Sequence, residues 1–300
     1  MRLLFSSDPP NPRIPDAVYA NEVAAVERLG IGVSLVRFEA LVDEDDAEGA
    51  VRRVAPAPEE GEIGVYRGWM MTPPQYAALY EALSDRRVTL INTPAQFEHC
   101  HHLPNWYGRL EGQTPRSVWT KADDMSLPRL MVLLRDFGDR PVIVKDFVKS
   151  RKHEWAEACF IPSAADAQAV ERVTSRFLEL QGDGLAGGLV LREFVEFEPL
   201  GVHSKSGMPL TREFRLFFLD GQPIQVLRYW EQGDYEGEPP PLAHFTRLAS
   251  SVASRFFTMD VARTVTGEWL VVELGDAQVA ELPEDADRGE FFTRLSRSTL

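Results

Sequence analysis

The sequence predicts an α/β and α+β protein, with a parallel α/β domain over residues 1–113 and an α+β region in two parts, 114–190 and 191–300. Two observations carry this prediction. Strand and helix patterns alternate through the first third, the order that right-handed crossovers build into a parallel sheet. The last third instead holds long apolar runs joined by Asp220-Gly221 and Thr266-Gly267, dipeptides that fold a chain back as antiparallel hairpins. With 300 residues and 44% hydrophobic content, the chain can bury more than one core.

Each element follows from its local pattern. In the first domain MRLLFSS, GVSLVRFE, EIGVYRGWM and VTLIN read as strands. Helices are expected after Asp16, where Val18, Val23, Val26 and Leu29 recur at helical spacing, and after Thr72, where Tyr76, Leu79 and Leu83 do so. DPPNP, APAPEEG and TPPQ break regular structure. The acidic piece from Asp43 to Gly61 reads as an exposed connection. Beyond Thr114-Pro115, SVWTK is a strand, Ser126 to Phe137 a helix, PVIVKDF and EACFIP strands, and Ala164 to Leu180 a helix. GGLVLREFVEFEP opens the last part. TREFRLFFLDG then pairs with QPIQVLRYW, and FFTMDVARTVTG with EWLVVELGD, with helical spacing from Pro241 to Phe256 between the hairpins.

Composition narrows the function. A formal net charge of -14 gives the long-range field the wrong sign for non-specific attraction to nucleic acid or an anionic membrane. The apolar run in MRLLFSSDPP is too short for a signal peptide and no 18-residue apolar run follows, so a soluble, cytoplasmic protein is expected. Cys100 and Cys159 are too few for a disulfide framework and read as reduced thiols. His99, Cys100, His101 and His102 are adjacent and cannot all reach one tetrahedral ion, which favours a polar turn over zinc. GDGLAG precedes a strand instead of following one, and GxxxxGK[ST] is absent, so neither a dinucleotide fingerprint nor a P-loop is present.

The charged residues are more informative. After the apolar strand Val142 to Val144, five basic or potentially basic side chains (Lys145, Lys149, Arg151, Lys152, His153) fall within nine residues. On a chain this acidic they point to a small, specific anion, against the alternative of a solvated face. Strand alternation puts Glu213 and Arg215 on one face, and Arg228 on the return strand is expected to join them, giving two guanidiniums for phosphate oxygens. Asp260 and Glu273 fall on neighbouring strands within apolar runs, with Asp276 just beyond. Acids so placed need a cation between them, either a salt-bridge partner or Mg²⁺ with substrate phosphates.

These residues, in this order, resemble the ATP-grasp superfamily. KDFVKSRKHEW and ELGD resemble its branch of predicted amidoligases, or carboxylate-amine ligases. The resemblance covers Thr114 to about Pro283 and implies a two-subdomain ATP-grasp fold preceded by the α/β domain. It further implies that Lys145, Lys149 and Ser150 hold ATP phosphates and that Glu193, Phe194 and Val195 meet adenine. Glu213 would bind ribose. Arg215 and Arg228 would serve the transferring phosphoryl group with Lys145, and Asp260, Glu273 and Asp276 would hold Mg²⁺. Two positions depart from the family pattern: Glu-x-Asn is replaced by Glu273, Leu274, Gly275, Asp276, and Lys121 is the candidate for an early phosphate-binding lysine. The implied reaction joins a small-molecule or peptide carboxylate to a nucleophilic acceptor through an acylphosphate, with the acceptor near Arg67, Trp69, His102 and Trp106. A catalytically degenerate ATP-binding module and a nucleic-acid ligase are the competing readings.

Overall fold

Arg2–Ser6 (β1) carries leucines and a phenylalanine that are buried on both faces, as a central parallel strand requires. The computed structural model describes residues 1–202, 209–230 and 233–297. With Gly32–Val36 (β2), Glu62–Arg67 (β3) and Val88–Leu90 (β4), β1 forms a parallel sheet of order β2-β1-β3-β4. Its helices are Ala20–Arg28 (α1), Phe38–Val42 (α2), Ala47–Ala50 (α3), Pro73–Ser84 (α4), Pro94–His101 (α5) and Leu103–Tyr107 (α6). Three expectations need correction. GVSLVRFE is strand only to Val36, and Phe38 already starts α2. The piece from Asp43 to Gly61 is not simply exposed, because it contains α3 and buries Ala50, Val51, Val54 and Ala57 against Leu4 and Tyr76. TPPQ starts a helix, with Thr72 and Gln75 closing a capping box ahead of α4.

The second sheet is antiparallel, in the order β5-β8-β6-β7. Its strands are Ser117–Lys121 (β5), Val142–Asp146 (β6), Phe160–Ile161 (β7) and Gly188–Glu193 (β8). Leu127–Leu134 (α7), Trp155–Ala158 (α8) and Ala167–Gln181 (α9) complete this unit, whose core joins Leu130, Val144, Ala158, Phe177 and Leu191. EACFIP is mostly not strand, since α8 takes its start and only Phe160 and Ile161 pair with β6. The expected boundary after residue 190 falls inside β8, which pairs through Glu193.

A hairpin of Pro199–Val202 (β9) and Pro209–Thr211 (β10) leads to the third sheet, of order β12-β11-β13-β14. Its strands are Glu213–Leu219 (β11), Gln222–Arg228 (β12), Phe256–Arg263 (β13) and Trp269–Asp276 (β14). Asp220 and Gly221 both have positive φ, 48° and 76°, the pair of values that a two-residue hairpin turn of type I′ needs. Leu242–Ala249 (α10) is shorter than expected, and Phe256 belongs to β13. Leu216, Phe218, Met259, Val261, Val271 and Leu274 pack under α10 with Phe245. On the other face, Phe217, Leu219 and Phe256 meet Arg288–Arg297 (α11) and the first sheet through Leu3, Phe5 and Phe291.

Candidate active site

The free end of that second face carries charge. In β11, Glu213 and Arg215 point the same way, and the register sets Arg215 opposite Asp260 of β13 and Asp260 opposite Glu273 of β14. A bulge at Val272 makes this possible: Val261 pairs with Val271 while Asp260 pairs with Glu273, so Val271 enters the core and Glu273 the cleft. Arg215 Nε and Nη2 donate to the two carboxylate oxygens of Asp260, each at 2.8 Å. Facing this row, β6 presents Lys145 and β8 presents Arg192, directly opposite Ile143 in register. Lys145 Nζ donates to Glu273 Oε1 at 2.6 Å. Arg192 Nη2 donates to Thr114 Oγ1 at 2.7 Å, and Thr114 Oγ1 to the Val271 carbonyl at 2.8 Å.

The basic loop after β6 closes the remaining side. Asp146 Oδ1 accepts from the backbone N–H of Val148 and Lys149, folding the loop back on its own strand. Lys152 then reaches inward, its Nζ 5.7 and 6.0 Å from the ring centres of Tyr229 and Trp230. Burial works against its charge, but Tyr229, Glu213, Glu273 and Asp260 around it hold its pKa above the usual lysine value. Burial pushes Glu213 up to about 7, only partly offset by Lys152. Glu273 goes the other way: burial would raise it, but Lys145, Lys152 and Arg192 outweigh burial and hold it below the usual range. Burial lowers Arg192 to about 10, which leaves it charged at neutral pH.

Two joined cavities result. One, of about 480 Å³, is lined by Lys145, Lys149, Ser150, Lys152, Arg215, Asp260 and Glu273. The other, of about 390 Å³, is mainly apolar, with Trp155, Phe194, Val195, Phe197 and Trp230 in its walls and Glu213 at its edge. Ile143, Lys152, Arg192 and Val272 line both, so the two form one slot with an apolar end and a charged end.

The family model described as ATP-grasp domain, R2K clade family 3, matches residues 136–295, more than half of the chain. The chain belongs to this ATP-grasp family. A search of curated proteins finds no match. Among solved structures, the chain is similar to a RimK domain ATP-grasp protein from Sphaerobacter thermophilus (14% identity, 99% of this chain, 98% of that one, TM-score 0.60). It is also similar to the D-cycloserine synthetase DcsG (15% identity, 99% of each chain, TM-score 0.61). A third is the ATP-grasp ligase PsnB, complexed with a phosphomimetic variant of its minimal precursor, Mg and ADP (13% identity, 100% of this chain, 98% of that one, TM-score 0.59).

Of the residues nominated by the ATP-grasp resemblance, the fold gathers Lys145, Lys149, Ser150, Glu193, Phe194, Val195, Glu213, Arg215, Asp260 and Glu273 along the slot. Three others stand apart from this row. Arg228 pairs with Phe214, not Arg215, so it lies on the opposite face, with its guanidinium 5.4 Å from the Tyr235 ring centre. Asp276 also lines the charged cavity, but it pairs with Phe257, at the far end of β14 from the Asp260–Glu273 pair. Its carboxylate accepts from Asn92 Nδ2 at 2.6 Å and from the Gln278 N–H at 2.9 Å. Among the described residues no three of His, Cys, Asp and Glu converge on one point, so the expected three-acid metal set is not assembled. Lys121 is exposed at the end of β5, outside both cavities. On the acceptor side Trp69 lines the charged cavity, whereas Trp106 is core and Arg67 is buried in an ion pair with Glu22. His102 pairs loosely with Glu98 at 3.7 Å, and His101, not His102, lines the cavity. Two site residues were not singled out in the sequence reading. Lys152 stood in the quoted basic run, and Arg192, next to Glu193, shares a strand face with no second charge to flag it.

Proposed function

We propose that the protein is an ATP-dependent ligase that joins a carboxylate to an amine through an acylphosphate and releases ADP and phosphate. The observation that carries this reading is the opposition of Lys145 and Arg192 to the row Glu213, Arg215, Asp260 and Glu273, at the junction of an apolar and a charged cavity. Similarity to ligases, one of them complexed with Mg and ADP, supports it. In this reading residues 1–113 are the preceding domain, and the units built on the second and third sheets, divided after Glu193, are the two halves that enclose the nucleotide.

The apolar end suits adenine, between Trp155, Phe194 and Trp230, and Glu213 accepts from a ribose hydroxyl at its edge. Lys145, Lys149, Ser150, Lys152 and Arg215 surround the phosphates. Asp260 and Glu273, paired across adjacent strands, suit Mg²⁺, which takes few carboxylates and completes its shell with phosphate oxygens and water. Bound there, magnesium would draw charge from the phosphoryl oxygens. Without ligand each acid is neutralised by a cation of the site, Lys145 on Glu273 and Arg215 on Asp260. Nucleotide and metal together exchange these partners without leaving a charge uncompensated.

A carboxylate resists amine attack because it lacks a leaving group. Attack of its oxygen on the γ-phosphorus expels ADP and supplies one. The amine nitrogen then bonds to the acyl carbon, phosphate departs with the C–O electron pair, and the amine loses a proton. Alignment and neutralisation of the phosphoryl oxygens are the protein's contributions. The loop carrying Lys149 to Lys152 keeps water from the acylphosphate.

A second reading, binding without chemistry, is favoured by the engagement of the Asp276 carboxylate with Asn92 and Gln278, which leaves Asp260 and Glu273 as the facing pair among the three expected metal acids. Calorimetric titration with ATP and Mg²⁺ tests both. Wild type is expected to bind, and Lys145→Ala to weaken binding by about tenfold or more, the scale of a lost charged hydrogen bond. Equal binding by the variant overturns the site. ADP release on adding carboxylates and amines separates a ligase from a binding module.

A further inference from the structure

The basic loop after β6 has no glycine from Phe147 to Trp155, yet it turns back tightly enough for Ser150 to bridge to Lys145. Fixing such a loop costs conformational entropy, which either the ligand or the protein must offset. Here a single buried carboxylate does so. Asp146 is 1% exposed and accepts four hydrogen bonds. Its Oδ1 accepts from the Val148 and Lys149 N–H groups at 2.7 and 2.5 Å, and its Oδ2 from Gln181 Nε2 at 2.6 Å and the Ala186 N–H at 3.3 Å. Its own N–H donates to the Lys149 carbonyl at 2.9 Å. One oxygen thus holds the loop, and the other holds the end of α9 and the segment after it. A carboxylate so surrounded by donors is compensated for its burial and fixes whatever donates to it.

GDGLAG, residues 182–187, finds its place in the same arrangement. The Phe147 N–H donates to the Ala186 carbonyl at 3.1 Å. The Phe147 ring lies on Gly187, whose φ is 73° and where a Cβ would fall 2.2 Å from the ring carbon Cδ2. Further along the loop, the Arg151 guanidinium donates to the Leu180 carbonyl. From the first domain, the Leu103 N–H donates to the Phe147 carbonyl at 2.9 Å. The loop is therefore seated on both sides, and it presents Lys149, Ser150 and Lys152 to the charged cavity. Asp146 itself lines neither cavity of the slot.

We infer that Asp146 is a positioning residue of the phosphate site: by tying the loop to Gln181 and Ala186, it holds Lys149, Ser150 and Lys152 in their binding arrangement in the nucleotide-free protein. This rests on the nucleotide reading of the slot and adds a residue that acts through others. A grip set in advance spends none of the binding energy on ordering the loop.

Hydrogen exchange and calorimetry on the full chain test it. In the nucleotide-free wild type the Val148 and Lys149 amides are expected to exchange about a hundredfold or more slower than in Asp146→Ala. Asp146→Asn keeps the shape but turns an amide Nδ2 toward donors, and is expected to weaken MgATP binding by about tenfold or more. Adenosine affinity is expected to hold, because Trp155 is seated by ring contacts with Phe160 and Phe194. Adding Gln181→Glu to Asp146→Asn restores a donor–acceptor pair with its polarity reversed at the same net charge, and is expected to recover MgATP binding. Gln181→Met, which spares the carboxylate and its turn, is expected to weaken MgATP binding by about threefold or more at an unchanged melting temperature. Unprotected amides in the empty wild type, MgATP affinity unaltered in both single variants, an equal loss for adenosine and MgATP, or no recovery in the double variant overturns the inference while the nucleotide reading stands. Failure of a wild type with protected amides to bind MgATP overturns the nucleotide reading and the inference with it.

Discussion

Glu213 and Lys152 show how single residues set the working range of the slot. Burial raises the Glu213 carboxyl to about 7 from an ordinary 4.5. The folded chain therefore holds a proton there that the unfolded chain has released, and the stability it contributes is present below about pH 4.5 and lost as pH rises through about 7. Glu213→Gln removes this dependence. Thermal melts from pH 4.5 to 8 are expected to show the variant gaining on wild type as pH rises, and a constant difference would refute the assignment. Lys152 opposes the rise of Glu213 and also faces the phosphate cavity. Lys152→Met is expected to weaken MgATP binding by about tenfold or more, measured by titration; unchanged affinity would place the lysine outside the nucleotide site. At this scale the sequence was legible where alternation sufficed. Glu213 and Arg215 share a face because two positions separate them, and Lys145, next to the last residue of its strand, faces the cleft. Lys152 gained its role only from a loop fold that no periodicity encodes.

For strands and helices, register decided what sequence reasoning got right and wrong. Asp260 and Glu273 were placed on neighbouring strands correctly, but their direct opposition depends on the bulge at Val272. Arg228 pairs with Phe214 and not Arg215 because a pairing offset of one residue reverses the face, and the offset is fixed by turn geometry and packing. EACFIP misled because its apolar residues suit a strand while Trp155, just before it, starts a short helix. Gly188 supplies an element-level prediction. A Cβ there would lie 2.1 Å from the Thr120 carbonyl oxygen and 2.8 Å from Lys121 Cα, backbone that cannot move without separating β5 from β8. Gly188→Ala is expected to lower the melting temperature by several degrees, in line with about 1–3 kcal/mol for overpacking. A melting temperature equal to wild type would show that the strands separate at little cost.

Across the whole molecule, buried polar groups tie the first domain to the third sheet. Arg67 joins Glu22 of α1 to the carbonyls of Ala277 and Ala280 at 2.6 and 2.7 Å. Asn92 bonds the backbone of Phe256 and the Asp276 carboxylate, which Gln278 also holds, and Gln278 reaches Tyr76 at 2.7 Å. Removing Asp276 leaves Asn92 and Gln278 donors unsatisfied. Asp276→Ala is therefore expected to cost about 2 kcal/mol or more, seen as a lower denaturation midpoint, while the magnesium dependence of nucleotide binding persists. Loss of that dependence in a stable variant would return Asp276 to the metal set. The ties that cross from domain to sheet were not visible in the sequence, because each joins residues far apart in the chain.

The seam has a mechanical consequence. First domain and third sheet are pinned to one another by neutral and ionic bonds that have no part in the proposed chemistry. The sheet of Lys145 and Arg192 is joined to the third sheet through Lys145–Glu273 and the Arg192–Thr114–Val271 chain. Two bodies therefore act as an anvil and one as a jaw. Under the proposed reaction the latch between them, Lys145–Glu273, is an ion pair that nucleotide and metal would replace, so the same contact that closes the empty jaw would be the one exchanged for its load.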